Sequence, residues 1–408
     1  MPSPVKDPDF VRDIYTVSEW QDVNAALKSP DFLAGRKIKR SVLENVLVMI
    51  NGKDHLERRQ IESPVFNREA LVHYESDMLR PILEAYAEQW RVEGRAELVD
   101  STLMLLARVG ALLGGLDDID VDEKAHAIID HADDFARAGS VEWSKLPEDE
   151  QQKVIDHSEA SRDVFEERFV EPSRAKRVAL VEAFRAGRKE RSQLPRDVIT
   201  EMLLHWRDDW KPELLSLELL MYLSGSVRTS MRAVCNSIQE MHDWVAKHPE
   251  DGPLMTDPDF IRKAVNETIR LHVVVPALLR ITARDVKLPS GLEIPGGEYV
   301  AILYARANRE HEYFGEDADE FDPHRGDRHL PGRDYGVSFA AGAHACIGRR
   351  LAVGAGNETD SANKGTVMTI VEELLRLGAE PDPCDPAEPD NDSFYDQYKR
   401  YPVRFTKR

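Results

Sequence analysis

The chain has 408 residues, of which 42% are hydrophobic and 31% charged, and its formal net charge is −20 at pH 7. This length and apolar content suffice for a large buried core. The acidic balance argues against nucleic acid as a partner, because a phosphate backbone needs a basic face. The polar start of the chain does not have the pattern of a signal peptide.

No linker, repeat or change of composition divides the sequence, so we expect a single domain over residues 1–408. The longest apolar stretch, 103–116, is interrupted by Arg108 and is too short to cross a bilayer. A buried helix is predicted there, and no membrane association is expected. An odd number of cysteines without paired spacing predicts neither a disulfide framework nor a zinc site and favours a reducing cytoplasm. They are Cys235, Cys346 and Cys384.

Helical periodicity dominates most of the chain. It predicts a short helix over 174–187 and a much longer one over 214–246, which is apolar in its first half and has its weak point at Gly225 and Ser226. Another helix is predicted over 257–272, which begins at an Asp-Pro pair and stops before Pro276.

The periodicity changes after this helix. Residues 278–305 contain β-branched runs separated by Pro-Ser-Gly and Pro-Gly-Gly, which predicts short strands and hairpins. Residues 306–345 are rich in Arg, Asp, Gly and Pro, which indicates ordered coil, and a helical pattern returns at 367–377. The predicted fold class is mainly α with a small β region.

The most informative segment is 339–348, Phe-Ala-Ala-Gly-Ala-His-Ala-Cys-Ile-Gly. A lone cysteine follows a loop of small residues and precedes a predicted helix over 348–352. Small residues let a flat ligand lie against the backbone, and a helix N-terminus stabilises a thiolate. The alternative for a bare cysteine is a buried structural role.

This segment resembles the signature of the cytochrome P450 family, F-G-x-G-x-H-x-C-x-G. The matching residues are Phe339, Gly342, His344, Cys346 and Gly348, while Ala340 replaces the second-position glycine. The resemblance implies that Cys346 is the axial ligand of the haem iron, with Phe339 beside the sulfur, Gly348 in the haem-binding loop and His344 on a propionate. A thiolate ligand favours O–O cleavage on haem iron.

Glu267 and Arg270 resemble the family's E-x-x-R. At i and i+3 they share a helix face, and on its own such a pair is usually a solvent-exposed salt bridge. Arg325, in Phe-Asp-Pro-His-Arg, matches the third member of the same structural network. The resemblance implies that these residues hold the fold around the haem.

Three further residues resemble propionate ligands of the family. His55 and Arg59 match H-x-x-x-R on an early helix, where i and i+4 positions face one side. Arg280 matches the arginine before the first inner strand. A single histidine or arginine outside such a pattern is more often a plain surface residue.

The long helix departs from the family's oxygen-activating motif, A-G-x-D/E-T-T. In the preferred register, 225–230, Gly225 is a haem-binding residue, Thr229 takes the place of the threonine beside bound oxygen and Ser230 follows it. Arg228 then stands where an acid is expected. A slip of one residue would put Arg228 on the threonine position, but the preferred register keeps two adjacent hydroxyls.

Arg228 leaves three interpretations open, because an arginine cannot release a proton at working pH. Protons could arrive through Thr229, Ser230 and water. Arg228 could instead grip a substrate carboxylate, as in peroxide-using members, although those have proline where this chain has Thr229. Alternatively, Arg228 points away and pairs with a structural acid.

Two other departures concern segments of the chain. The stretch 15–23 is one that the family normally reaches after an extra helix and strand, so the N-terminal wall of the substrate channel is expected to be reduced. Residues 354–365 add roughly three helical turns' worth of residues. Their polar, Gly-rich composition predicts a surface loop near the proximal face, where an electron donor would dock.

The resemblance runs from about residue 15 to the end and implies a cytochrome P450 fold, with haem b (iron protoporphyrin IX) between the long central helix and the cysteine-loop helix. It implies a cytoplasmic monooxygenase of a small, largely apolar organic substrate, using O2 and electrons from a ferredoxin or flavodoxin with its reductase. One alternative is a peroxide-dependent hydroxylase or decarboxylase of a carboxylic acid held by Arg228; another is a non-catalytic haem-binding protein. Candidate pocket segments are 47–50, 136–141 and 273–279.

Overall fold

The structure is a computed structural model. It describes residues 11, 13–35, 41–141, 144, 146–275, 277–328, 334–355, 363–391 and 395–406. These residues are mainly helical with a few short strands, which confirms the predicted fold class. Among the described helices, none has the length and hydropathy to span a membrane.

The helices are α1 (Trp20–Lys28), α2 (Gly52–Glu62), α3 (Arg68–His73), α4 (Arg80–Glu93), α5 (Leu98–Gly114), α6 (Asp122–Gly139), α7 (Glu148–Phe165), α8 (Glu171–Arg185), α9 (Val198–Leu204), α10 (Leu214–Lys247), α11 (Pro258–Leu271), α12 (Tyr304–Ala307), α13 (His311–Phe314), α14 (Arg349–Val353) and α15 (Thr366–Arg376). The strands are β1 (Tyr15–Val17), β2 (Phe32–Leu33), β3 (Arg95–Glu97), β4 (Leu278–Thr282), β5 (Val286–Lys287), β6 (Glu293–Ile294), β7 (Tyr299–Ile302), β8 (Ala379–Pro381), β9 (Glu388–Pro389), β10 (Tyr398–Arg400) and β11 (Pro402–Phe405).

The chain forms two compact units. Unit 1 comprises Met1–Gly35, Leu83–Thr102 and Thr229–Arg408, and unit 2 comprises Arg36–Ile82 and Leu103–Arg228. The expectation of a single domain over 1–408 stays a prediction.

Unit 1 holds the main sheet, in the order β1-β7-β4-β2. Strand β1 runs parallel to β7, and β4 is antiparallel to it, with Arg280 opposite Val300. The rings of Trp20 on α1 and Phe314 pack edge to face, with 5.1 Å between their centroids. Because Val300 and both rings are buried, the sheet and α1 share one apolar core, which fixes β4 beneath the rest of the unit.

The described residues of unit 2 form helices and no strand. Helices α7 and α8 are joined by a π-helical segment, Glu166–Val170. Helix α5 is buried through its apolar stretch, as predicted for 103–116. At Gly110 of α5 a side chain would begin 3.3 Å from Leu223 of α10, so the absence of a side chain lets the two helices approach closely.

The predicted helices lie close to the observed ones. Helix α10 begins at the predicted residue and ends one residue later than expected, and it continues through Gly225 and Ser226 without a break. The Ser226 hydroxyl donates a 2.7 Å hydrogen bond to the carbonyl of Tyr222, one turn earlier. Helix α11 starts where Asp257 accepts hydrogen bonds from two backbone amides, as its Asp-Pro start predicts.

The two departures at the level of segments fall partly outside the described residues. These omit 1–10, so the reduced N-terminal wall stays a prediction. Of the 354–365 insertion, 356–362 lie outside the description, and the two ends meet: a side chain on Gly365 would begin 2.4 Å from the amide nitrogen of Gly354. Both glycines adopt left-handed backbone angles, φ 94° and 73°.

Candidate active site

The cysteine loop of unit 1 presents its sulfur at the surface. Cys346 is exposed, and its amide donates a 2.8 Å hydrogen bond to the carbonyl of Phe339. The ring of Phe339 meets Tyr335 edge to face, with 4.9 Å between centroids. Between Phe339 and Cys346, the residues Gly342–His344 form a single 3-10 turn. Helix α14 starts three residues after the cysteine. The loop is therefore closed on itself by backbone hydrogen bonding, with the thiol outside.

Two positions of this loop have left-handed backbone angles. Gly342 has φ 70°, and a side chain there would begin 2.4 Å from the carbonyl oxygen of Leu27 on α1, so only glycine fits. Ala340 has φ 55°, although it carries a side chain. Gly348 does not have a left-handed backbone angle. A side chain at this position would begin 3.9 Å from the Cys346 sulfur.

Arg280 is a buried cation near this loop. Only 7% of it is exposed, and its guanidinium donates to the carbonyl of Leu279 at 2.8 Å. Within the described residues it has no carboxylate partner, and burial lowers the pKa of Arg280. A buried guanidinium without an acid is costly, so this position calls for an anionic group.

Tyr304 is a residue that sequence reasoning missed. Its hydroxyl is buried and has no hydrogen-bond partner in the described part of the chain. Burial raises its pKa, which Arg280 lowers and Cys346 raises further, so the three side chains lie within electrostatic range. No motif in the sequence marks this tyrosine, because its position follows from the turn between β7 and α12.

The network of Glu267, Arg270 and Arg325 is buried in unit 1, with exposures of 3%, 0% and 1%. Glu267 accepts two hydrogen bonds from Arg270, at 2.7 and 2.8 Å, and one from Arg325 at 2.8 Å. The remaining guanidinium groups donate to backbone carbonyls of the 308–320 segment. These three residues therefore form a hydrogen-bonded cluster in the core. They do not form the exposed salt bridge that an isolated E-x-x-R would suggest.

In unit 2, α2 carries the predicted pair His55 and Arg59. His55 is buried and Arg59 half-buried, and both lie on one helix, four residues apart, so they face the same side. The neighbouring Arg58 is the buried arginine of the two, and it bonds Glu218 of α10 at 2.9 Å. The role of His55 and Arg59 toward a propionate stays a prediction, as does that of His344 in unit 1.

Arg228 of α10 makes a bidentate ion pair with Asp133 of α6. This hydrogen-bonded pairing raises the pKa of Arg228 further. Its neighbours differ in exposure: Ser230 is buried, Thr229 is half-buried and Gly225 is exposed. The arrangement corresponds to the third interpretation of Arg228, pairing with an acid of the protein.

Comparisons with known proteins bear on this geometry. The family model described as "Cytochrome P450" matches residues 251–353, the stretch with α11, the sheet strands and the cysteine loop. Cytochrome P450 130 of Mycobacterium tuberculosis is 39% identical over 99 residues, which cover 24% of this chain and 23% of the relative. Vitamin D(3) 25-hydroxylase of Pseudonocardia autotrophica is 32% identical over 165 residues, 39% of this chain and 38% of the relative. The matches thus span about a quarter to two fifths of these relatives.

Solved structures match almost the whole chain at low identity. Substrate-free CYP109E1 from Bacillus megaterium aligns with a TM-score of 0.70 and 18% identity, covering 98% of this chain and 95% of that one. P450BioI, in complex with an acyl carrier protein ligated to hexadec-9Z-enoic acid, aligns with a TM-score of 0.71 and 18% identity, covering 96% and 92%. The chain therefore has the cytochrome P450 fold, and its residues 251–353 match the model of that family.

The family whose model matches residues 251–353 implies a haem cofactor, and the described residues of unit 1 fit one. An exposed thiol flanked by glycine and alanine leaves room for a flat macrocycle. Arg280 is buried and has no carboxylate partner among the described residues, so a haem propionate would compensate its charge. Both observations come from unit 1 alone.

Proposed function

We propose that this cytochrome P450 is a haem-thiolate monooxygenase that inserts one atom of O2 into a small, largely apolar organic substrate, with haem b as its cofactor. The observation that carries the proposal is the exposed Cys346 thiol on a loop closed by its own hydrogen bonding. If Cys346 held the iron as a thiolate, it would supply electron density that favours O–O cleavage.

Each part of the mechanism has a residue in this chain. Cys346 would ligate the iron, and Arg280 would neutralise a propionate; His55, Arg59 and His344 are further propionate ligands by family resemblance. When bound, haem supplies the activation of O2. Thr229 and Ser230 would hold and pass protons by their hydroxyls. Electrons would come from a separate ferredoxin or flavodoxin and its reductase.

The peroxide-dependent alternative requires Arg228 to bind a substrate carboxylate. In the structure that guanidinium already binds both carboxylate oxygens of Asp133 through its Nε and Nη2 groups. A substrate carboxylate would bind a guanidinium whose charge Asp133 already compensates, so the substrate would gain little from charge pairing. We therefore favour the reductant-driven monooxygenase.

The ligand assignment is tested by reducing the purified holoprotein and adding carbon monoxide. We expect the red-shifted Soret band of thiolate ligation, lost in Cys346→Ala. Cys384→Ala is the matched control, because that cysteine is also exposed, and it should keep the band. A folded holoprotein without the band, or a Cys346→Ala variant that retains it, would overturn the proposal.

The substrate is sought by titrating a metabolite library and recording the shift of the Soret band. Apolar molecules that bind beside the haem should shift the band. Product analysis with a surrogate ferredoxin and its reductase then shows whether oxygen is inserted.

A further inference from the structure

Residues of unit 2 line a cavity of about 450 Å³. A volume of this size lies within the range of sites for small organic molecules, roughly 300–1,000 Å³. The wall includes residues of α2, α6, α7 and the first turn of α10. Its apolar side chains are Val42, Ile50, Ile61, Phe135, Leu214 and Leu217. They provide an apolar surface for the body of a ligand.

The charged side chains of the wall leave an excess of acid. Glu44, Asp54 and Glu213 line the cavity, and none of them forms an ion pair within the described part of the chain. The three arginines of the wall are each bound to a carboxylate. Among the described lining cations, only Lys211 has no such partner. Three unpaired carboxylates against one unpaired ammonium favour a cationic ligand and disfavour an anionic one.

Ser158 of α7 is a buried polar residue in the same wall. Only 2% of it is exposed, and within the described residues its hydroxyl has no hydrogen-bond partner. Burying a hydroxyl without a partner costs free energy. Because Ser158 lines the cavity, a polar atom of a bound molecule would supply the missing hydrogen bond. The wall therefore offers one hydrogen-bonding group in addition to its negative charge.

The cavity lies apart from the residues of unit 2 that are expected to face haem. On α2 its wall residues are 54, 57, 58 and 61, which share one helix face. The described lining residues do not include the predicted propionate ligands His55 and Arg59. On α10 the wall ends at Leu217, eleven residues before Arg228, which corresponds to roughly 16 Å along the helix axis. A ligand in this cavity would not occupy the position of the substrate beside Arg228.

We propose that this cavity is a second ligand-binding site, for an organic cation with an apolar body and one hydroxyl group. The apolar body would pack against the aliphatic side chains of the wall. The cationic group would lie near Glu44, Asp54 and Glu213, and the hydroxyl would form a hydrogen bond with Ser158. Binding is non-covalent and involves no haem chemistry, so the inference goes beyond the proposed function.

Isothermal titration calorimetry of the holoprotein tests the ligand class. The probe is benzyldimethyl(2-hydroxyethyl)ammonium, whose quaternary nitrogen has no lone pair and cannot ligate haem iron. It should bind at one saturable site, at least tenfold more tightly than phenylacetate or benzyl alcohol. Its affinity should fall as salt rises from about 0.05 to 0.5 M, because exposed charges are screened. The Soret band should not shift during the titration.

A double variant tests the role of the acidic wall. Asp54→Asn combined with Glu213→Gln should weaken binding of the probe about fivefold or more, because two of the unpaired carboxylates are lost. Glu148→Gln combined with Glu182→Gln is the matched control. It removes the same charge from two exposed acids of unit 2 that are not in the described wall, and it should leave the affinity unchanged.

A single variant tests the hydrogen bond. Ser158→Ala should weaken binding of the hydroxyl-bearing probe about three- to tenfold and leave that of benzyltrimethylammonium unchanged, because the second cation has no hydroxyl. Ser216→Ala is the matched control, since Ser216 is also buried in unit 2 without a partner in the described part of the chain, but is not among the described lining residues. It should bind both cations like the wild type.

Several outcomes would overturn the inference. Equal losses in the two double variants would show that the cation binds to the acidic surface in general. Phenylacetate binding as tightly as the probe would refute the ligand class, and a Soret shift would place the probe beside the haem. Equal affinities of Ser158→Ala and wild type for the probe would refute the hydrogen bond. None of these measurements depends on the carbon monoxide band, so a failure of the proposed function is recognised separately.

Discussion

Ala340 carries a conformation that suits glycine. Its φ of 55° lies in the left-handed region, which costs an L-residue with a side chain about 1–2 kcal/mol. This is the position where the family signature has its second-position glycine.

Ala340→Gly should therefore stabilise the protein, by about 0.5–1 kcal/mol once the greater freedom of glycine in the unfolded chain is subtracted. Urea unfolding monitored by circular dichroism measures the difference. Ala341→Gly is the control, because Ala341 has an extended backbone, φ −145°, and should gain nothing. A loss of stability in Ala340→Gly would contradict the argument.

Glu267 serves two buried arginines at once. Glu267→Gln removes the carboxylate that Arg270 binds and one of the two that Arg325 binds, the other being Asp317. Breaking a buried pair in this way costs about 3–5 kcal/mol. Glu88→Gln removes the same i, i+3 pairing with Arg91 on an exposed helix surface and should change stability little. Denaturant unfolding of both variants compares them, and equal effects would refute the role assigned to the buried cluster.

At the scale of elements, His272 joins three parts of unit 1. It directly follows α11; its Nε2 lies 2.8 Å from Glu240 of α10 and its Nδ1 lies 2.6 Å from Asp396, before β10. Both ring nitrogens face carboxylates, so the ring is an imidazolium that donates twice. Burial lowers the pKa of His272, but the two hydrogen bonds outweigh it and raise the pKa to about 9.

This contact should make stability fall with rising pH. Because the folded pKa lies above the unfolded value of 6.5, the contribution is complete below pH 6.5 and is lost as pH rises through 9. The stability difference between wild type and His272→Gln should shrink by roughly 3 kcal/mol over this range. Urea unfolding at pH 6.5, 8 and 9.5 tests this, with the exposed His311→Gln as control; a constant difference would contradict it.

The 354–365 insertion is an element whose ends touch. Since Gly354 and Gly365 are adjacent, the segment leaves and re-enters the fold at one point. Deleting 356–362 should therefore leave the carbon monoxide spectrum intact and cost little stability, because shortening a surface loop changes its closure entropy only slightly. Loss of the folded holoprotein on deletion would show that the segment is structural.

The sequence predicted those elements that are specified by residues close together in the chain. The cysteine loop is a contiguous motif, and α10 shows its period over 34 residues. The expected weakness at Gly225 and Ser226 does not interrupt α10, because buried neighbours support it and Ser226 bonds back to the preceding turn. The helical periodicity of the sequence reveals neither the buried neighbours nor the hydrogen bond of Ser226.

Contacts between residues far apart in the chain could not be predicted from the sequence. Glu62 and Tyr222 are 160 residues apart, and each looks like an ordinary polar residue of a helix. The burial of adjacent arginines is equally hard to predict. The sequence Glu-Arg-Arg-Gln does not indicate that Arg58 is buried and Arg59 half-buried. The pairing of Arg228 with Asp133 was one of three interpretations, and choosing among them required the packing of α6 on α10.

For the whole molecule, the charge of −20 sets its long-range behaviour. A surface with this excess of acid repels phosphate backbones, so duplex DNA should not be retarded by the protein in a gel at about 0.1 M salt. A retarded band at micromolar protein would show a basic patch that the overall charge conceals.

The close approach of Gly342 to Leu27 has a practical consequence for protein engineering. The first helix and the cysteine loop touch through bare backbone, with no side chain between them that could be repacked. Mutant libraries meant to change the chemistry should therefore keep codon 342 fixed, and trimming the chain beyond the start of α1 would remove the surface on which the thiol loop rests.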